Sequence, residues 1–197
     1  MKDFHFSLNL GLIGTDDSRI DIILDYLKEK TKLTSSKNSI NQFQFIYENL
    51  PLKIRIFQFK HFEDLTNDIK SRKKLDAIIV AINLYNDQAI SKLNLNNYKE
   101  LCKNVSFNGV AVLVGIDPYL IEQINPPTSR RINEFVLIQK TKELNFHYCF
   151  KIQNSKKDIA DILYKVLNYV ILKLEFINPE TFERVKTNNK NIVGKYL

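Results

Sequence analysis

The sequence predicts an α/β fold, with a mostly parallel central sheet, helices on both faces and a short C-terminal helical extension. Three observations lead there. The stretches "LDAIIVAINL" (75–84) and "GVAVLVGIDP" (109–118) are nearly continuous apolar runs, the pattern of strands buried on both faces. Segments with apolar residues at helical spacing separate the strand-like runs, so each return to the sheet needs a crossover. The chain has 197 residues, 44% hydrophobic and 26% charged, which suits one domain with a substantial core.

The elements follow in order. A first strand fits 7–13, and a helix fits 18–30 with Ile20, Ile23, Leu24 and Leu27 on one face. Asp16, Asp17 and Ser18 supply N-cap chemistry for that helix. The polar stretch "KTKLTSSKNSINQ" (30–42) reads as a loop. Residues 43–47 and 53–59 read as a hairpin joined by "ENLP". After the two apolar strands, "FHYCFKI" (146–152) is a last short one. Helices fit 86–103, 130–144 and 157–174, the last with an inward stripe of Ile159, Ile162, Leu163, Val166 and Val170. Beyond it Asn178 caps a further short helix, with Pro179 in its first turn and Phe182 and Val185 on its apolar face. The end, "TNNKNIVGKYL", reads as loosely held. The organisation is thus a domain over 1–174 and an extension over 175–197.

Composition narrows the function. The net charge of +7 comes mostly from lysines spread along the chain, a solvated surface that also tolerates acidic partners. The pairs Arg130–Arg131 and Lys156–Lys157 read as solvated faces, with DNA contact a weaker alternative. Cys102 and Cys149 are the only cysteines and sit among apolar residues, as structural thiols do. His5, His61 and His147 show no metal-ligand spacing. No leader and no apolar run near 18 residues is present, so a cytosolic or nuclear protein with no membrane role is expected.

The strand spacing resembles that of a Ras-like small GTPase, and each strand end can be compared with a nucleotide motif. A P-loop needs G-x-x-x-x-G-K-[ST], so that backbone, lysine and hydroxyl hold phosphates and magnesium. Here "GTDDSRID" keeps only Gly14, with Arg19, Ile20 and Asp21 replacing the second glycine, the lysine and the hydroxyl residue. The D-x-x-G position reads "QFKH", with Gln58 for the aspartate and His61 for the glycine. The N-K-x-D position reads "IDPY", with Ile116, Asp117 and Tyr119, and the last motif is met by "KIQ" or its neighbours. Joint loss of all four argues for no nucleotide, no metal, no other cofactor and no catalytic residue. The acidic turn and "YCFK" also resemble a response-regulator receiver, but its phosphoacceptor aspartate would fall near Ala81.

A narrower resemblance lies in "LGLIGTDDSRIDIILDYLKE", "LDAIIVAINLYNDQAISKL" with its continuation to "VSFNGVAVLVG", "HYCFKI" and "INPETFERVK". These are similar to the centromere protein M family, small-GTPase-like pseudoenzymes of the inner kinetochore. The resemblance implies a small-GTPase-like domain over 1–174 and a structural role in the constitutive centromere-associated network. It further implies a nuclear, centromeric location and a helical-repeat partner like centromere protein I, with centromere proteins H and K. The stretch 31–74 is longer than the family's usual counterpart. An atypical small GTPase, or a pseudo-GTPase adaptor in membrane traffic, is the alternative. Aromatic and aliphatic residues on loops and end segments suit interface anchors, which selects Phe107, Phe176, Ile177, Phe182 and Val185 as candidate partner-binding residues.

Overall fold

In a computed structural model, residues 6–37, 40–61, 64, 74–105, 107–128, 131–153 and 155–188 are described. Strands β1 (Phe6–Ile13), β2 (Lys32–Lys37), β3 (Ile40–Tyr47), β4 (Leu50–Phe59), β5 (Ala77–Asn83), β6 (Val110–Ile116) and β7 (Tyr148–Ile152) form a 7-stranded sheet in the order β2-β3-β4-β1-β5-β6-β7. From β4 to β7 all neighbours are parallel, while β2–β3 and β3–β4 are antiparallel. The helices are α1 (Asp21–Lys30), α2 (Asp87–Lys92), α3 (Leu95–Val105), α4 (Pro118–Glu122), α5 (Glu134–Glu143), α6 (Ser155–Ile177) and α7 (Pro179–Asn188).

Alternation along the central strands explains the layers. Leu8, Leu10 and Leu12 of β1, with Ala77, Ile79 and Ala81 of β5, enter one core with α1, α6 and α7. Ile78, Val80 and Ile82 of β5 enter the other, with Ile90 of α2, Tyr98 of α3 and Leu137 of α5. Helices therefore cover both faces, and the two apolar runs read from sequence are the doubly buried β5 and β6. Each fully buried Leu or Ile contributes about 2 kcal/mol of transfer free energy.

Several expectations change. The polar stretch 30–42 contains strand β2, which pairs with β3 at the sheet edge through a register shift between Leu33 and Ser35. The β3–β4 hairpin turns on Glu48 and Asn49, whose positive φ values of 47° and 65° match a two-residue primed turn. Helix 86–103 is broken at Leu93, which takes an extended conformation between α2 and α3. Helix α6 continues to Ile177, so the 174/175 boundary falls inside it. The capped short helix is present, with the Thr181 N–H donating to Asn178 Oδ1 at 3.3 Å. Of the end read as loosely held, residues 189–197 lie outside the described residues.

His147 locks the entry of β7 to β6. Its Nδ1 accepts the Ala111 N–H at 3.2 Å, its own N–H donates to Ala111 O at 2.8 Å, and its ring stands edge-on to Tyr169 at 5.0 Å. Burial, with Lys173 adding to it, holds the imidazole below its ordinary pKa. The unfolded chain therefore takes up this proton first, and stability present at neutral pH is lost as pH falls through about 6.5 toward the lower folded value. Urea midpoints should be lower at about pH 5.5 than at about pH 7.5, and His147→Gln should flatten that part of the profile.

Candidate functional site

The candidate site is the set of loops at the C-terminal ends of the parallel strands, where α/β sheets usually take ligands. It begins with the turn after β1. The Gly14 N–H donates to Phe59 O at 3.0 Å, tying β1 to β4. A Cβ on Gly14 would lie 2.4 Å from Ser18 Oγ, and Ser18 is completely buried. The Ser18 hydroxyl donates to Thr15 O at 2.6 Å inside a short 3-10 turn, Asp16–Ser18. The turn thus closes on its own serine. Arg19 then adopts a left-handed conformation (φ 54°, ψ 34°), which separates the 3-10 turn from α1. Ile20 enters the core as expected.

Asp17 of this turn does not cap the helix. Neither Thr15 nor Ile20, the residues at the two helix starts, makes a side-chain cap bond. Asp17 instead accepts from the Thr15 hydroxyl and from Asn86 Nδ2 at 2.7 Å, beyond the end of β5. Burial pushes the Asp17 pKa up, but hydrogen bonds from Thr15, Asn86, its own backbone and Asn83 outweigh that and hold it below the usual value. Arg19 pairs with Glu122 of α4 and, at 3.4 Å, with Asp21. The side chain of Asp16 lies outside the described residues.

A second brace closes the ends of β6 and β7. Asp117 is fully buried; its Oδ1 accepts the Leu120 N–H at 3.0 Å as N-cap of α4. Its Oδ2 lies 2.7 Å from Arg131 Nη2. With its carbonyl oxygen turned inward, Gln153 accepts from Arg131 at 3.2 Å and from Lys151 at 3.1 Å. Arg131 is therefore a structural ion-pair partner and not part of a solvated basic face, while Arg130 lies outside the described residues. Tyr85, from the loop after β5, and Tyr119, in the first turn of α4, stack edge to face at 4.9 Å.

Gln58 and His61 each meet a neighbour within the chain. The Gln58 Oε1 faces the Asn41 amide at 3.5 Å, and the His61 N–H donates to Asp64 at 3.0 Å. A cleft of about 600 Å³ remains between Arg19, Asp21, Gln58 and Lys60. Among the described residues no group of three or more His, Cys, Asp and Glu side chains could hold a metal ion. The half-buried thiols of Cys102 and Cys149 have their pKa values raised by burial, which leaves them protonated and weakly nucleophilic.

The five candidate anchors separate into two groups. Phe107, Phe182 and Val185 are 9%, 4% and 5% exposed and pack on this chain itself. Phe182 stacks on Phe6 at 5.8 Å, which returns α7 to the sheet, and Phe107 joins the core of Tyr98 and Leu144. An interface role for these three is corrected, because their apolar surface is already covered. Phe176 and Ile177 are 90% and 65% exposed, at the end of α6. Leu172, at 63%, lies one turn before Phe176 on the same helix face and was missed. Leu120, Ile124, Phe135 and Ile138 are also exposed and were missed. For Phe135 and Ile138 the signal was the run of four apolar residues 135–138, which spreads around most of a helix.

Comparison with protein-family models gives no match, and comparison with curated protein sequences gives no match either.

Proposed function

We propose that this chain is a pseudo-GTPase of the centromere protein M kind, a non-catalytic structural subunit of the inner kinetochore. It binds a helical-repeat partner like centromere protein I, alongside centromere proteins H and K, and supports kinetochore assembly and chromosome segregation in the nucleus. One observation carries the non-catalytic part. Charged groups at the loop ends are engaged by partners within the chain: Asp17 by the Asn86 amide, Arg19 by Glu122, and Asp117 by Arg131. The sheet order supports a Ras-like ancestry. With the edge strand β2 set aside, β3-β4-β1-β5-β6-β7 with an antiparallel β3–β4 pair is the Ras-like order. A receiver would instead have the purely parallel order 2-1-3-4-5.

The partner surface in this reading is the end of α6, where Leu172, Phe176 and Ile177 stand exposed. The test is co-purification with a centromere protein I-type partner, co-expressed with centromere proteins H and K. The wild-type chain should enter the complex. Leu172→Glu with Phe176→Glu should weaken its binding by about 30-fold or more, as loss of a hot-spot pair does, with an unchanged melting temperature. A wild-type chain that stays outside the complex contradicts the function; a double variant that binds normally contradicts the surface.

A further inference from the structure

We propose that the chain carries a small-molecule site at the N-terminal ends of β6 and β7, one that takes an aromatic monocarboxylate. The inference goes beyond the function proposed above and concerns the end of the sheet opposite the candidate loops. It stands on a cavity of about 370 Å³ between α3 and the C-terminal end of α5. That volume falls within the range of ligand pockets. Its apolar wall is Leu95, Tyr98, Phe107 and Leu144, the last three buried. Tyr98 stands edge-on to Phe146 at 4.8 Å, which holds its ring in place. Two aromatic rings in the wall favour an aromatic body in the ligand, because ring edges and faces attract one another.

Two donors set the polar end. Lys99 lines the cavity at an exposed position, and no described residue pairs with its ammonium. His147 lines it too, and its Nδ1 accepts the Ala111 N–H at 3.2 Å. The neutral ring therefore carries its proton on Nε2 and donates from there. Burial first, and Lys173 second, keep the imidazole in that neutral form. The wall's own polar atoms are satisfied, since the Tyr98 hydroxyl and the Cys102 thiol bond to each other. None of the lining residues is acidic. Nearby Asp76 turns its carboxylate to β1, where Oδ2 accepts the Asn9 N–H at 2.8 Å, and it faces two cations, Lys74 and Lys173. Glu143 pairs with Lys140. An ammonium beside buried aromatic carbon favours a ligand with a carboxylate at one end, whose charge-assisted hydrogen bonds replace lost hydration. A phosphate dianion fits less well, because one ammonium and one neutral N–H offset less of its desolvation.

The test is an NMR titration of the isotopically labelled chain with phenylacetate. Phenylacetamide is the neutral control and acetate the bare-anion control. Phenylacetate should shift the amides of Lys99, Cys102, Asn108 and His147 saturably, with half-saturation at about 1 mM. Phenylacetamide should bind at least about fivefold more weakly, and acetate should give no saturable shift. Lys99→Gln, at an exposed position, should weaken phenylacetate about fivefold and leave phenylacetamide unchanged. Leu95→Trp, which fills the cavity from the first turn of α3, should abolish the shifts while signals elsewhere report an intact fold. Lys99→Gln decides the matter independently of that variant. Absence of saturable shifts overturns the inference, as do equal responses to acid and amide, or a Lys99→Gln chain that binds phenylacetate as wild type does. So does acetate that competes at the same concentration, which would make this a bare-anion site.

Discussion

Arg131→Ala lowers the stability of the chain by about 2–3 kcal/mol, because it strands a buried carboxylate. Asp117 is fully buried at the end of β6; its Oδ1 accepts the Leu120 N–H, and its Oδ2 has the Arg131 guanidinium 2.7 Å away as ionic partner. Removing one partner of a buried pair typically costs about 3–5 kcal/mol, but the Arg131 side chain is 34% exposed, so water replaces part of what is lost. The expected fall in melting temperature is about 4–12 °C for a chain of this size. Arg131→Lys should recover only part of it, since the lysine side chain is one bond shorter than the path to Arg131 Nη2, the nitrogen that meets both Asp117 and Gln153. Asp117→Asn with Arg131→Gln should cost less than the two single losses together. A stability within about 0.5 kcal/mol of wild type for Arg131→Ala would remove this brace from the account.

Gly109→Ala has an effect of similar or larger size and a different cause. A Cβ at Gly109 would lie 2.1 Å from the Asp76 carbonyl oxygen and 2.6 Å from its carbon, both backbone atoms. The contact falls where β5 and β6 begin to pair, beside the Val110 N–H bond to Asp76 O at 3.1 Å. Backbone at a strand entry has little room to yield, so the substitution should cost about 3 kcal/mol or more. Gly115→Ala supplies the contrast. Its Cβ would meet Leu84 and Leu137 side-chain carbons at 2.6 and 2.7 Å, groups that can change rotamer. Gly115→Ala should therefore be the milder of the two in urea unfolding, and a reversed ranking would refute the steric explanation.

What could be read without the structure follows from how local each cause is. Strands β5 and β6 are legible because burial on both faces leaves an unbroken apolar run, and the α7 start is legible because Asn178 and Pro179 form a local cap. Strand β2 is not, since an edge strand of lysine, serine and threonine lacks any apolar alternation. The short α4 after Asp117 escaped for the same reason: one turn of helix leaves no period to detect.

The site was legible only as a set of missing motif residues. What replaces them is long-range: Asp17 finds Asn86 69 positions away, and Asp117 finds Arg131 across a loop. Local chemistry pointed Asp17 toward helix capping, and a distant amide won. The anchors failed similarly, because an apolar side chain on an appendage looks the same whether it covers its own core or a partner. Phe182 and Val185 cover this chain's core, and Phe176 and Ile177 do not.

The central claim is that this loop end is organised by its own side chains and holds no guanine nucleotide. A titration of fluorescent GTP and GDP analogues with magnesium tests it most directly. The account predicts no saturable signal up to about 1 mM, equivalent to less than about 4 kcal/mol of binding free energy. Saturable binding at micromolar concentration or tighter would contradict it.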